Sequence, residues 1–225
     1  MTNPTQIRSM FNSLCSSFYL AVMLGCVLCA CEKQGHSSVT VLAAIDASKS
    51  AFNEQFRGNA VASALTVMDS ASPETKFTLW RVCRDVVTAF DNTKPEDITD
   101  FSRVLQTYFA AACDDAGGTA LPAVLTRIAD QADQNKGAVF VFLYTDGVLD
   151  DPDRDNALEH AATRLALNPE VNLVWVAGLK TNGGYRDGLL EHLEPLQKAG
   201  KLMTANLEEI TDTEAKFIER LTNAN

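Results

Sequence analysis

Three short polar stretches of the sequence carry side chains that could hold a metal ion. DASKS places Asp46, Ser48 and Ser50 at alternate positions, GGT ends on Thr119, and TDG contains Asp146. Carboxylate and hydroxyl oxygens are the ligands that a small hard dication prefers, and such an ion usually keeps several waters. Two carboxylates would balance a 2+ charge, while the hydroxyls supply neutral oxygens and one position stays open for a ligand. These five residues form a candidate metal site.

Each stretch also has a plainer interpretation. A strand followed by Asp-x-Ser is an ordinary way to cap a helix N-terminus. Thr119 would serve equally as a helix N-cap after its glycines, and Asp146 as a turn residue before Gly147. Each of these interpretations is the simpler one when its stretch is taken alone. The metal site rests on all three stretches occurring together, in order, at strand–helix junctions.

The elements that must position these residues alternate between strand and helix. Apolar runs predict strands over residues 39–45, 77–82, 85–90, 138–144, 171–177 and 201–204. Helical spacing of apolar residues predicts helices over 49–68, 101–113, 119–133, 151–165, 185–198 and 212–221. The second and third strands are expected to form a hairpin-like pair, and the uninterrupted run AVFVFLY suits a parallel strand covered on both faces. We therefore expect a single α/β domain with a doubly wound, mostly parallel sheet flanked by helices.

Ligands of such sheets bind beyond the carboxyl ends of the strands, where the strand order reverses. Asp46 directly follows the first predicted strand, Asp146 follows the most apolar one, and Thr119 opens a predicted helix. The fold class thus predicts that residues far apart in the sequence meet at one edge of the sheet.

Together the three stretches resemble the metal-ion-dependent adhesion site (MIDAS) of von Willebrand factor type A (vWA) domains. That signature is DxSxS, then a distant Thr and a distant Asp, and the matching positions are Asp46, Ser48, Ser50, Thr119 and Asp146. The resemblance implies a vWA/Rossmann-like fold, a bound Mg²⁺ or Mn²⁺, and an open coordination position that takes an Asp or Glu of a protein partner. Lys49 departs from the family pattern, which usually has a small residue at that position.

Two cysteines of the domain fall at the same predicted edge of the sheet. In the topology that the resemblance implies, Cys83 follows the second strand and Cys113 precedes the DDAGG loop. We predict a disulfide between them that ties the Thr119 loop to the sheet, because cysteines of exported domains often pair. Two unpaired buried cysteines are the alternative.

The first thirty residues differ from the rest of the chain. FYLAVMLGCVLCA, residues 18–30, is continuously apolar or small, and as a helix it would span roughly 20 Å, too short for the roughly 30 Å core of a bilayer. It predicts the apolar part of an export signal, and LCAC resembles a bacterial lipobox with Cys31 as the lipidated residue. A plain signal peptide and an uncleaved anchor are the alternatives. The predicted organisation is an export signal over 1–30, a tether over 31–37 and a vWA-like domain over 38–225, anchored in the bacterial cell envelope by lipid alone.

Charge and motif content narrow the function further. The formal net charge is −10, which argues against nucleic acid because phosphate binding needs a basic face. The sequence has no GxSxG, GxxxxGK[ST], GxGxxG or HExxH motif, so nothing in it indicates an enzyme of those classes. The leading hypothesis is a non-enzymatic binding protein that recruits an acidic group of a protein partner through the metal. A metal-dependent hydrolase of a phosphorylated substrate and a vWA domain with a residual metal site are the alternatives.

Overall fold

Six strands lie side by side in the order β3-β2-β1-β4-β5-β6, in a computed structural model that describes residues 38–51, 53–97, 101–110, 113, 119–149 and 156–224. The predicted export signal, Cys31 and the tether lie outside the described residues. The strands are β1 Thr40–Asp46, β2 Lys76–Val82, β3 Val86–Thr93, β4 Val139–Tyr144, β5 Val171–Leu179 and β6 Leu202–Asn206. Only β3 is antiparallel to its neighbour, so the mostly parallel α/β sheet that the sequence predicts is confirmed.

Seven α-helices connect and cover the strands among the described residues. They are α1 Glu54–Ser70, α2 Phe101–Tyr108, α3 Leu121–Gln134, α4 Ala157–Leu167, α5 Tyr185–His192, α6 Glu194–Lys198 and α7 Ile210–Asn223. A short 3₁₀ turn, Pro95–Asp97, precedes α2.

Alternate residues of the central strands pack into two separate hydrophobic layers. Ala43 and Phe142 belong to the layer that contains α1, α2 and α7, whereas Ala44 and Leu143 belong to the layer that contains α3 to α6. Every residue of β1 and of β4 is buried, as expected for parallel strands with helices on both faces. The sheet thereby fixes the backbone at the carboxyl ends of both strands.

Several helix boundaries differ from the sequence prediction; α2, for example, ends at Tyr108 instead of residue 113. Two of the differences have a clear local cause. The first helix was expected from residue 49, but it begins at Glu54 because the Asn53 side chain accepts a hydrogen bond from the Phe56 amide at 2.8 Å and caps it there. The single helix expected over 185–198 is two helices, α5 and α6, and Pro195 occupies the first turn of the second. Proline fits a first turn but not a helix interior, so the chain starts a new helix.

The sheet order reverses between β1 and β4. The chain passes from β1 outward to β2 and β3, then returns to β4 on the other side of β1 and proceeds to β5 and β6. This reversal lies at the carboxyl ends of β1 and β4, the position where doubly wound sheets bind ligands.

Candidate metal centre

Asp46 is the last residue of β1 and lies at the reversal of strand order, with only 1% of its surface exposed. Its Oδ1 accepts a hydrogen bond from the Ser48 amide at 2.8 Å. Its Oδ2 accepts one from the Thr145 hydroxyl at 2.9 Å, across to the residue that follows β4. Both oxygens are therefore oriented by the chain, and each retains a lone pair for a further interaction.

The two serines of DASKS approach each other after the strand ends. Their hydroxyl oxygens are 3.2 Å apart, and either can donate the hydrogen bond. Ser48 is buried, whereas Ser50 and the intervening Lys49 are exposed. Lys49 is thus solvated, and its ammonium group does not enter the buried part of the site.

Thr119 is held at the same edge of the sheet by its neighbours. The amide of Ala120 donates to the carbonyl of Cys83 at 2.8 Å, directly after Val82, and Val82 is the register partner of Asp46. Thr119 is 1% exposed, and its hydroxyl has no hydrogen-bond partner among the described residues. Its two preceding glycines lie outside those residues.

A disulfide joins Cys83 to Cys113, with 5.9 Å between the Cα atoms. The amide of Cys113 also donates to the carbonyl of Ala47 at 2.9 Å, in the DASKS turn. Cys113 is therefore attached to the ends of both β1 and β2.

Asp146 follows β4 and is also 1% exposed. Its Oδ1 accepts a hydrogen bond from the Val148 amide at 3.0 Å. Gly147 makes this turn possible because its φ of 81° lies in the left-handed region that suits glycine. The carboxylate is thus fixed by its own turn, like that of Asp46.

Lys180 enters the site from the end of β5 and was not among the residues predicted from the sequence. Its Nζ donates to Asp146 Oδ2 at 2.7 Å and to the carbonyl of Ser50 at 3.0 Å. The backbone amide of Lys180 also donates to the carbonyl of Asp146 at 3.0 Å. The position of Lys180 directly after a parallel strand could have indicated a place in the site. The sequence predicts that this strand ends at Ala177, however, whereas it ends at Leu179.

Thr145 is a second residue of the site that was not predicted from the sequence. Its buried hydroxyl donates to Asp46 and accepts from the Gly147 amide at 3.2 Å. It couples the ends of β1 and β4 without requiring any bound ion.

The charges of the site are close together in a buried place. Burial, and to a smaller extent the negative charge of Asp146, together raise the pKa of Asp46 to about 6. The hydrogen bonds from Ser48 and Thr145 act in the opposite direction because they favour the carboxylate form. Burial therefore makes the ionised form of Asp46 costly, and a bound cation would relieve that cost.

The donor set fits a hard dication. Two buried carboxylates, two neighbouring serine hydroxyls and the partnerless Thr119 hydroxyl are all oxygen donors. Among the described residues no group of three or more His, Cys, Asp or Glu residues is arranged to hold a metal. A cation at this edge would consequently depend on hydroxyl ligands, as the predicted set of Asp46, Ser48, Ser50, Thr119 and Asp146 does.

Comparison with known proteins identifies the fold. No protein-family model matches the chain, and no curated protein matches it. Solved structures do match. A vWA protein from Catenulispora acidiphila aligns with a TM-score of 0.62, 14% identity and coverage of 84% of this chain and 43% of that chain. Proximal thread matrix protein 1 of the mussel byssus, with a zinc-occupied MIDAS motif, aligns with a TM-score of 0.56 and 15% identity, over 84% of this chain and 48% of that chain. The PilB minor pilin of Streptococcus sanguinis aligns with a TM-score of 0.58 and 12% identity, over 84% of this chain and 62% of that chain.

These likenesses establish the architecture. The described domain has the vWA/Rossmann-like α/β fold, and it spans less than two thirds of the length of each of these three structures. In the described ranges, none of the helices is both long and apolar enough to cross a bilayer.

Proposed function

We propose that this chain is a lipid-anchored, exported vWA domain that binds a divalent cation, Mg²⁺ or Mn²⁺. Asp46, Ser48, Ser50, Thr119 and Asp146 would hold the ion directly or through water. When bound, the ion would supply a Lewis-acidic position open to an Asp or Glu side chain of a protein partner. The domain would thus act in adhesion, assembly or scaffolding at the bacterial cell envelope, without catalysis.

The observation that carries this proposal is the Thr119 hydroxyl. A hydroxyl buried without a hydrogen bond costs free energy, roughly 1–3 kcal/mol by protein mutational data. Thr119 bears this cost next to the end of β2, whose last residue, Val82, is the register partner of the buried Asp46. A cation ligated by the hydroxyl would account for the Thr119 and Asp46 features together, whereas helix capping accounts for neither.

The structural neighbours support the proposal in two respects. One of them, the mussel byssus protein, carries zinc in its MIDAS motif, so this fold accommodates a divalent ion at such a motif. Another is a minor pilin, a bacterial surface protein, which supports an envelope location. The lipidation of Cys31 rests on the LCAC motif.

Calorimetric titration with Mn²⁺ tests the metal site. We expect one equivalent of ion to bind the purified full-length chain and expect Asp46→Ala to abolish that heat. Asp69→Ala, which removes a carboxylate near the end of α1, is the matched control. Equal heats of binding for the two variants, or no heat for the wild type, would refute the proposed metal site.

Capture from an envelope extract tests the partner class. Proteins retained by the Mn²⁺-loaded chain should be released by EDTA and by an Asp-containing peptide, and the Asp46→Ala chain should retain none of them. Retention that survives EDTA would mean that the domain binds its partner through another surface.

Lys180 favours a second candidate, a metal-dependent hydrolase of phosphorylated substrates. A lysine beside a metal-binding carboxylate is a group that phosphoryl transfer commonly uses, and Lys180 contacts Asp146. Turnover of a generic phosphate ester that requires Mn²⁺ and is lost in Asp46→Ala would support this candidate. Absence of turnover by the Mn²⁺-loaded chain leaves the binding function.

A further inference from the structure

Lys180 puts a positive charge at the carboxylate that the proposed metal site needs. Its ammonium group contacts Asp146 Oδ2 at 2.7 Å, while the other oxygen of that carboxylate accepts the Val148 amide. Among the described residues, no other Lys or Arg forms an ion pair with Asp46 or Asp146. Lys49, the lysine inside the motif, is exposed.

The two partners of the Lys180–Asp146 ion pair differ in their exposure to solvent. The Asp146 side chain is 1% exposed, whereas that of Lys180 is 35% exposed. The carboxylate therefore has no route into solvent, but the long lysine side chain can extend into water by changing its rotamers. Of the two partners, only the ammonium group can leave.

The charge balance gives the two states of the site. Two carboxylates and one ammonium leave a single negative charge, so the ammonium already offsets part of the carboxylate charge when no ion is bound. A dication beside a retained Lys180 would put three positive charges against two negative ones at contact distances in a buried place. The ion and the ammonium group thus repel each other while they compete for Asp146.

We infer that Lys180 is an internal competitor of the divalent cation: it pairs with Asp146 in the ion-free state and is displaced to solvent when the ion binds. This inference rests on the proposed metal site and adds to it a residue that sets the affinity. Displacement also frees the carbonyl of Ser50, which Lys180 contacts at 3.0 Å. Ion binding is consequently coupled to release of the DASKS turn from the end of β5.

Mn²⁺ titration of Lys180→Met, with Lys49→Met as control, tests the inference. Both variants lose one lysine charge at this edge, but only Lys180 contacts a carboxylate of the site. We expect Lys180→Met to bind Mn²⁺ about tenfold or more tightly than wild type, and Lys49→Met to stay within about threefold, because an exposed charge is screened by water and salt. Equal or weaker binding by a folded Lys180→Met chain would overturn the inference.

Two further measurements cover the case in which Lys180→Met folds poorly. Lys180→Gln retains a hydrogen-bond donor without the charge, and it should also bind Mn²⁺ more tightly than wild type. Amine-reactive labelling of the wild-type chain, read by peptide mapping, should modify Lys180 faster in Mn²⁺ than in EDTA, with Lys49 unchanged. Unchanged labelling of Lys180 at saturating Mn²⁺ would mean that the ammonium stays on Asp146, and the inference would fail.

The same titrations separate this inference from the proposed function. Binding by Lys180→Met but not by wild type would support the competitor and refute metal binding by the native chain. No binding by wild type, Lys180→Met or Lys180→Gln would refute both.

Discussion

At the scale of single residues, Asp46 carries the electrostatic cost of the site. Its carboxylate is almost fully buried and lies near a second buried carboxylate, so the ionised form is disfavoured. The hydrogen bonds from the Ser48 amide and the Thr145 hydroxyl compensate only in part, because burial still holds the pKa at about 6. A bound cation would stabilise the ionised form.

This pKa predicts how stability depends on pH in EDTA. The Asp46 carboxyl binds its proton more tightly in the folded chain than in the unfolded chain, where its pKa is near 3.8. Protonation of Asp46 therefore stabilises the fold, and this stabilisation is fully present below about pH 4. It is lost as the pH rises through about 6, and the loss amounts to about 3 kcal/mol for a shift of about two units. Denaturant unfolding at pH 4, 5, 6 and 7 should show this decline relative to Asp46→Asn, which does not titrate.

Asp46→Asn is the reference because every other titratable group is common to both chains. The difference between the two unfolding free energies reports the titration of residue 46 together with its coupling to Asp146. Parallel pH profiles would contradict the raised pKa of Asp46.

Thr119 permits a test that separates stability from binding. Thr119→Val keeps the shape of the side chain and removes the buried hydroxyl, which has no hydrogen-bond partner among the described residues. We expect the ion-free chain to become more stable by about 1 kcal/mol, since an unsatisfied polar group is no longer buried. Mn²⁺ affinity should fall about tenfold or more, measured by calorimetry beside chemical denaturation.

Thr66→Val is a suitable control for this substitution. The Thr66 hydroxyl is on α1 and donates to the carbonyl of Ala62 at 2.9 Å, away from the site. Its replacement should leave Mn²⁺ affinity unchanged. A loss of stability in Thr119→Val would show that the hydroxyl is hydrogen-bonded in the native protein.

At the scale of elements, the end of β5 decides where Lys180 lies. Gly178 has a φ of 87°, and the register between β5 and β6 shifts at this residue, between Ala177 and Leu179. Its position is crowded: a Cβ atom there would come within 2.8 Å of ring carbons of Phe56 and Tyr144. The glycine thus lets the last residues of β5 leave the regular strand between two aromatic rings.

Gly178→Ala should therefore destabilise the fold. The left-handed backbone and the two ring contacts each oppose a methyl group, and together we expect a loss of roughly 2–4 kcal/mol. Gly58→Ala is the matched control, because Gly58 lies in α1 with nothing within 4 Å of the added Cβ. That variant should gain up to about 1 kcal/mol. Urea unfolding of the two variants measures both, and similar values would contradict the crowding at Gly178.

The elements also show how far the sequence could predict this structure. Strands that are apolar throughout, such as β4, were predicted within a residue of their bounds because burial on both faces demands such runs. The start of α1 was missed since Ser48, Ser50 and Asn53 are all plausible caps, and only the Asn53 side chain makes the capping bond.

The site was predictable where it depended on residues directly after strands. Asp46 and Asp146 follow β1 and β4, and the strand order brings both to the reversal. Lys180 was missed because the bulge at Gly178 extends β5 by two residues beyond the apolar run, and a side-chain contact across 34 residues leaves no local pattern. The metal-ligand roles of the five predicted residues remain a proposal.

At the scale of the whole molecule, the site exists only in the folded sheet. Residues from β1, β4 and β5 and from the segment before α3 meet at one edge because the chain crosses over between β3 and β4. Several hydrogen bonds attach the DASKS turn to other elements, among them the Ala47 amide on the Val82 carbonyl, the Cys113 amide on Ala47 and the Lys180 ammonium on Ser50. The first two of these keep the turn in place even when Lys180 is displaced, so ion binding need not unravel it.

The disulfide between Cys83 and Cys113 should matter to stability and to the site. It closes a loop with a sequence separation of 30 residues, for which the chain-entropy model gives about 3–4 kcal/mol. The double variant Cys83→Ala, Cys113→Ala should lose about this much stability in urea unfolding.

The same double variant should also bind Mn²⁺ more weakly, because the segment that leads to Thr119 gains conformations that do not present the hydroxyl. The affinity is compared at a temperature where near-ultraviolet circular dichroism shows both chains folded. An unchanged affinity would mean that the Ala120–Cys83 and Cys113–Ala47 backbone hydrogen bonds hold Thr119 without the disulfide, which would then stabilise the domain alone.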